Sequence, residues 1–225
     1  MNYDMIAIGA SWGGLDALST LLDGLVSEVD ATIVVVQHRG PQSQRGLLEL
    51  LLQEHVERRV SEPDDKESIE RSRIYLAPAD YHLLVEDGHF ALSVEERVNY
   101  ARPSIDVFFQ SAADAYGQRA IGIVLTGANV DGAAGLAAIN ARGGVTIVQD
   151  PGTAARAAMP EAALAATVAD AVLPLEEIAP FLYGLCSRVR VVSGRFRTIP
   201  ADAFRGARTT PIGLQPDVSE RQPGT

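Results

Sequence analysis

The sequence predicts an α/β domain built on a doubly wound, mostly parallel sheet flanked by helices, with a short antiparallel hairpin insert. Three observations predict it. Runs such as "TIVVVQH" (Thr32 to His38) are apolar on nearly every residue, as strands buried on both faces are. Such runs alternate along the chain with stretches of helical apolar spacing. One middle segment breaks the alternation with an Asp-Gly turn between short alternating runs.

The elements follow in order. "DMIAIG" (Asp4 to Gly9) reads as a buried strand. "GGLDALSTLLDGL" places Leu15, Leu18, Leu21, Leu22 and Leu25 at helical spacing. After the strand ending at His38, "QRGLLELLLQEHV" reads as a second helix. "RIYLAPADYHLLVEDGHFALSV" holds three short strand-like runs, the last two joined at Asp87-Gly88. In "RPSIDVFFQSAADAYG" Pro103 and Ser104 are helix start signals. "AIGIVLTG" is another buried strand, and "VDGAAGLAAINARGG" a helix stopped by Gly143 and Gly144. A strand "VTIVQD", a short helix "PEAALAA" with Pro160 at its start, and a final strand and helix in "AVLPLEEIAPFLYGLCSRV" complete the pattern.

These elements occupy residues 1–187, read as one catalytic-sized domain. Beyond that, up to Arg208, Arg188, Arg190, Arg195, Arg197, Arg205 and Arg208 are accompanied by one acid, Asp202, and the end is polar and rich in Pro and Gly. Residues 188–225 therefore read as a mobile, arginine-rich tail, either solvated or a docking element. The formal net charge of -10 argues against nucleic acid or an anionic membrane as the main partner. The single cysteine, Cys186, permits no internal disulfide and no CxxC metal pair, which fits a cytoplasmic protein. The N-terminus has no basic segment followed by an apolar one, so no secretory signal is expected. The uncharged run Ile121 to Val130 is too short and too glycine-rich to span a bilayer, so no membrane insertion is expected.

Open parallel sheets carry their chemistry outside the carboxyl ends of the strands. After the first strand comes Ser11, in a literal G-x-S-x-G from Gly9 to Gly13. After the second comes His38, and after "AIGIVLTG" comes the turn holding Asp131. A serine hydroxyl needs a base, imidazole titrates in the right range, and a carboxylate can orient the imidazole. Each residue also has a plain structural reading. Ser11 and Asp131 are good N-caps for the helices that follow them, and His38 could bond a backbone group at its strand end. His55 on a helix and His82 and His89 on the hairpin sit less naturally at this rim. "GASWGG" is a poor dinucleotide fingerprint, because Ser11 stands where the second glycine belongs. No P-loop, H-E-x-x-H or paired Cys/His zinc spacing is present, so no cofactor and no metal are expected. The order serine, histidine, acid also differs from that of the α/β-hydrolases.

From about Asp4 to Leu185 the chain resembles the catalytic domain of the CheB chemoreceptor methylesterases. The stretches that carry the resemblance are "IAIGASWGG", "VVVQHRGP", "IYLAPADYHLLVE", "RPSIDVFFQSAADAYG", "GIVLTGANVDGAAGLAAINARGG" and "TIVQDPGTAARAAMPEAAL". The resemblance implies a protein-glutamate methylesterase acting on a methyl-accepting chemoreceptor-like protein, with deamidation of receptor glutamines as a companion activity. It assigns Ser11 as nucleophile, His38 as general base and acid, and Asp131 as the orienting carboxylate. It places oxyanion donors at the backbone N–H groups near Trp12 and Ala128. Within the domain the chain departs from the family in three places, one being "DPGTAARAAMPEAAL", which keeps Met159 and Pro160 but is otherwise alanine-rich. Trp12 stands where the family has a small residue, and Thr126-Gly127-Ala128-Asn129-Val130-Asp131-Gly132 stands where T-G-M-G-x-D-G is usual. With the first strand at about Asp4, no receiver domain is expected ahead of it, so control would be absent or exerted by a separate regulatory protein. A serine hydrolase for another ester or amide, and a non-catalytic module on the same scaffold, are the alternative readings.

Overall fold

The computed structural model describes residues 3–25 and 29–186, so the arginine-rich segment from 188 onward lies outside the described residues. Among them, seven parallel strands form one sheet: β1 (Met5–Ala10), β2 (Thr32–Gln37), β3 (Val60–Ser61), β4 (Ile74–Leu76), β7 (Ala120–Val124), β8 (Val145–Gln149) and β9 (Ala171–Leu173). Their spatial order is β3-β4-β2-β1-β7-β8-β9. The remaining two, β5 (His82–Glu86) and β6 (His89–Ser93), pair antiparallel as the separate hairpin. Asp87 and Gly88 turn it with φ of 45° and 85°, both left-handed, as a two-residue hairpin turn requires. The two-residue strand β3 gave no signal in the sequence, being too short for any periodicity.

Among the described residues six α-helices flank the sheet: α1 (Gly14–Asp23), α2 (Leu47–Gln53), α3 (Ile105–Tyr116), α4 (Ala133–Ala141), α5 (Ala158–Ala166) and α6 (Leu175–Cys186). Alternation along the strands divides the core in two. Ile6, Ile8, Ile33, Val35, Ile121 and Ile123 pack with Leu18, Leu21 and Leu22 of α1 and Ile178 and Leu182 of α6. Met5, Ala7, Val34, Val36 and Val148 pack on the other face with Ile105, Phe108 and Phe109 of α3 and Leu136 and Ile139 of α4. The hairpin joins this second cluster through Leu83, Val85 and Phe90. Burial on both faces explains why the strands read as continuous apolar runs.

Several boundaries differ from expectation. His55 lies just past the end of α2 rather than on it, where its ring bonds Asp23 at 2.9 Å. Pro160 is the third residue of α5, not its first, which costs nothing because the first-turn N–H groups have no intrahelical partner. Leu15 of α1 is 38% exposed, so its helical spacing marks the edge of the apolar stripe rather than its centre.

Helix α3 packs closely on α4, and Gly135 permits the approach. A Cβ there would meet Phe109 Cβ at 2.5 Å and the Asp106 backbone at 3.0 Å. Gly135→Ala is therefore expected to destabilise the fold by about 2–3 kcal/mol. The readout is a lowered midpoint in urea with an unchanged slope.

Candidate active site

Strand register brings the site together. The last pair of the β1–β2 ladder is Ala10↔Gln37, and the His38 N–H donates to Ala10 C=O at 3.0 Å. On the other side of β1, the Leu125 N–H donates to Gly9 C=O at 2.9 Å and the Ser11 N–H to Thr126 C=O at 3.0 Å. Ser11, His38 and Thr126 thus lie side by side at the carboxyl edge. The strands on either side of β1 carry the chain away in opposite directions there, which is the crevice of an open parallel sheet.

A tight turn follows β1. The Gly14 N–H donates to Ser11 C=O at 2.9 Å, and Gly13 takes a left-handed φ of 74°. Gly13 is the N-cap of α1 and no side chain caps the helix, so Ser11 does not serve as the cap. Its Oγ instead lies 3.2 Å from His38 Nδ1. His38 Nε2 lies 2.7 Å from Asp131 Oδ2. The imidazole side chain is 13% exposed and the carboxylate fully buried. Since the carboxylate only accepts, Nε2 carries the proton and Nδ1 keeps its lone pair for the serine hydroxyl.

Asp131 does not cap the helix after it either; Gly132 occupies that N-cap with φ of 97°. Its carboxylate caps α3 instead, accepting from Ile105 N–H at 2.6 Å, Asp106 N–H at 3.2 Å and the Ser104 hydroxyl at 2.8 Å. Asp106 returns the arrangement. Its Oδ1 accepts from Gly132 N–H at 2.9 Å and Gly135 N–H at 2.7 Å, at the start of α4. The turn before α4 thus supplies the acid that caps α3, and α3 supplies the acid that caps α4, and each acid gains from the positive helix end it faces. Asn99 links them, its Nδ2 donating to Asp106 Oδ2 at 2.9 Å and Asp131 Oδ1 at 3.2 Å.

The two acids divide the electrostatic burden. Burial pushes both carboxyls up. At Asp131 the hydrogen bonds from His38, Ile105 and Ser104 outweigh burial and hold the group below the usual carboxylate range. At Asp106 burial prevails over the Gly135 and Gly132 N–H bonds, with the Asp131 charge adding to it, so that group is raised. Asn99 has φ of 49°, which an Asp tolerates almost as well, so Asn99→Asp removes the donor without straining the backbone. A third carboxylate there titrates upward, which favours the folded state only while it is protonated. The variant is expected to be less stable by about 1–3 kcal/mol at pH 8 and to recover toward pH 5. Urea unfolding at both values checks it.

Residues that no motif announced hold the loops. Gln37 Nε2 donates to Ser11 C=O at 2.9 Å and His38 C=O at 3.0 Å, clamping two strand ends together. Thr126 Oγ1 donates to Trp12 C=O at 2.9 Å and accepts from Arg156 N–H at 2.8 Å. Arg39, beside His38, is buried against Glu62 and donates to Ala77 C=O at 2.7 Å. A glutamine and an arginine flanking a histidine are a signal only in hindsight, because their partners lie on other strands. His82 is buried behind the site, accepting from Ser104 N–H at 3.2 Å, and His89 lies on β6.

An open cleft of about 440 Å³ lies beside Ser11, lined by Trp12, Ala128, Arg156, Ala157 and Ala158. Within the described residues, the Trp12 and Ala128 N–H groups have no hydrogen-bond acceptor in the protein. No group of three or more His, Cys, Asp or Glu side chains in the described residues could hold a metal ion. No helix among them is long and apolar enough to cross a membrane.

Known proteins share this fold and much of its sequence. A relative from Leptospira interrogans is 47% identical over 180 residues, covering 80% of this chain and 93% of its own. Protein-glutamate methylesterase/protein-glutamine glutaminase 1 of Paramagnetospirillum magneticum is 38% identical over 194 residues, covering 82% of this chain. The chain spans only 50% of that longer relative. The crystal structure of the Thermotoga maritima CheB methylesterase catalytic domain matches with a TM-score of 0.77 and 32% identity, covering 82% of this chain and 100% of that one. The profile of the CheB methylesterase family matches residues 6–182, from the first strand to the last helix. With sheet, hairpin and strand-end residues all falling inside that span, this chain belongs to the CheB methylesterase family.

Proposed function

We propose that this protein hydrolyses γ-methyl esters of glutamate on a methyl-accepting chemoreceptor-like protein, with Ser11 as nucleophile, His38 as general base and acid, and Asp131 as the orienting carboxylate. The observation that carries the reading is the unbroken relay from Ser11 Oγ through His38 to Asp131, at 3.2 and 2.7 Å. Ser11 Oγ adds to the ester carbonyl as its proton passes to His38 Nδ1. Asp131 stabilises the resulting imidazolium through Nε2–H. The Trp12 and Ala128 N–H groups take the negative charge on the carbonyl oxygen. The C–O bond to methoxide breaks, His38 returns the proton, and methanol leaves an acyl-serine. Water, losing a proton to His38, then attacks that acyl group; the bond to Ser11 Oγ breaks, His38 returns the proton to Oγ, and the glutamate leaves.

The same relay serves a primary amide, with ammonia as the leaving group, and relatives are named for both activities. We therefore assign glutaminase activity to the same serine. We further read residues 1–187 as the catalytic domain, the cytoplasm as the working compartment, and a separate protein as the regulator. The test is methanol release from a peptide carrying a single glutamate γ-methyl ester, together with fluorophosphonate labelling mapped to Ser11. Absence of both from folded protein would overturn the assignment.

A further inference from the structure

Beside the nucleophile stands a cation with no acidic partner among the described residues. Arg156 is exposed and forms no ion pair within the described residues, in a protein whose formal net charge is -10. Its guanidinium lies 5.6 Å from the centroid of the Trp12 ring. Trp12 is 64% exposed, which is unusual for the largest apolar side chain in the sequence. Together with Ala128, Ala157 and Ala158 these two side chains line the cleft next to Ser11.

The pair is held in place. One hydroxyl, Thr126 Oγ1, bonds the Trp12 carbonyl at 2.9 Å and the Arg156 N–H at 2.8 Å. The Gly127 N–H donates to Arg156 C=O at 3.0 Å. The backbones of indole and guanidinium are thus anchored to the strand end that leads to Ala128 and Asp131. Held over the ring by a cation–π contact, the guanidinium keeps N–H groups free for a planar two-oxygen acceptor. The three alanines make the rest of the wall small and apolar, suited to an aliphatic stem rather than a second charge.

We propose that Arg156, braced by Trp12, is a substrate subsite that binds the carboxylate of an acidic residue neighbouring the methyl ester. The proposal rests on the methylesterase reading. The ester itself is neutral, so it gives a cation nothing to hold. An acidic neighbour one helical turn away on the substrate supplies the charge, since residues four apart lie on one helix face. Trp12, which departs from the family's small residue, becomes the platform that orients the arginine.

The test compares two peptides with one glutamate γ-methyl ester each. One carries Glu four residues before and after it, the other Gln at both places. Wild type should favour the acidic peptide by about three- to tenfold in kcat/KM, as expected for a partly exposed charge-assisted pair. Added salt should shrink that ratio. Arg156→Met should bring the ratio to about one, and Arg156→Glu below one. Because the ratio is taken within each variant, a general loss of activity or folding cancels. A wild-type ratio of one, or a ratio that survives Arg156→Met, overturns the subsite while leaving the esterase reading intact. Hydrolysis of neither peptide by wild type overturns both.

Discussion

Ser11→Ala is expected to lower kcat/KM for methanol release by at least about 10⁴-fold while leaving the fold in place. Losses of that order follow removal of a nucleophile that works as one unit with its base, because the remaining groups cannot substitute for the missing bond. The serine side chain makes a single hydrogen bond, to His38, and once it is removed the partly exposed His38 Nδ1 still has Asn129 Nδ2 at 3.5 Å. Gln37 and Thr126 hold Ser11 through backbone atoms and are untouched by the change. The urea midpoint should therefore match wild type within about 0.5 kcal/mol. Methanol release at the wild-type rate from Ser11→Ala would remove the proposed mechanism.

Asp131→Asn should reduce kcat by about 10³–10⁴-fold and, unlike the serine variant, should also weaken the fold. An amide turned with its NH₂ toward His38 would force the proton onto Nδ1, where Ser11 needs a lone pair. That same NH₂ would face the Ile105 N–H, now 2.6 Å from Oδ2. Turned the other way, it would face the Asp106 N–H and Asn99 Nδ2. Either orientation sets donor against donor in a buried site, at about 1–3 kcal/mol. The pH dependence carries a sign. The Asp131 carboxyl is held below its ordinary value, so its contribution to stability is fully present above about pH 4 and is lost as pH falls through the lower folded value. Asp106 is raised, so its ionisation costs stability as pH rises, and acid relieves that cost. Removing Asp131 deletes the acid-labile contribution. The variant should lose less stability than wild type between pH 5 and pH 2, as measured by urea unfolding across that range.

That Ser11, His38 and Asp131 meet at one sheet edge was readable from residue order alone. Strands apolar on both faces announce a parallel sheet, a parallel sheet announces chemistry at its carboxyl ends, and Ser11, His38 and Asp131 stand at three of those ends. Asp106 was not readable as a site residue. In "RPSID" it looks like an acid in a first helical turn, and its bonds run to glycines 26 and 29 residues further on. Asn99, Gln37 and Thr126 were hidden for the same cause, since each polar side chain bridges segments far apart in the chain.

By itself the sequence determined the alternation of strand and helix, the hairpin at Asp87-Gly88 and the residue types offered at each strand end, because these depend on periodicity and on neighbours within a few positions. Only the tertiary structure decided what the acids do. Ser11 and Asp131 are both ordinary N-cap residues by type, and each was free to cap its own helix. The close approach of α3 and α4 at Gly135 lets Asp131 and Asp106 exchange helices, and that exchange turns a buried carboxylate toward His38. Local sequence could not specify it, because a side chain's hydrogen-bond partner is settled by which backbone N–H groups packing brings within about 3 Å.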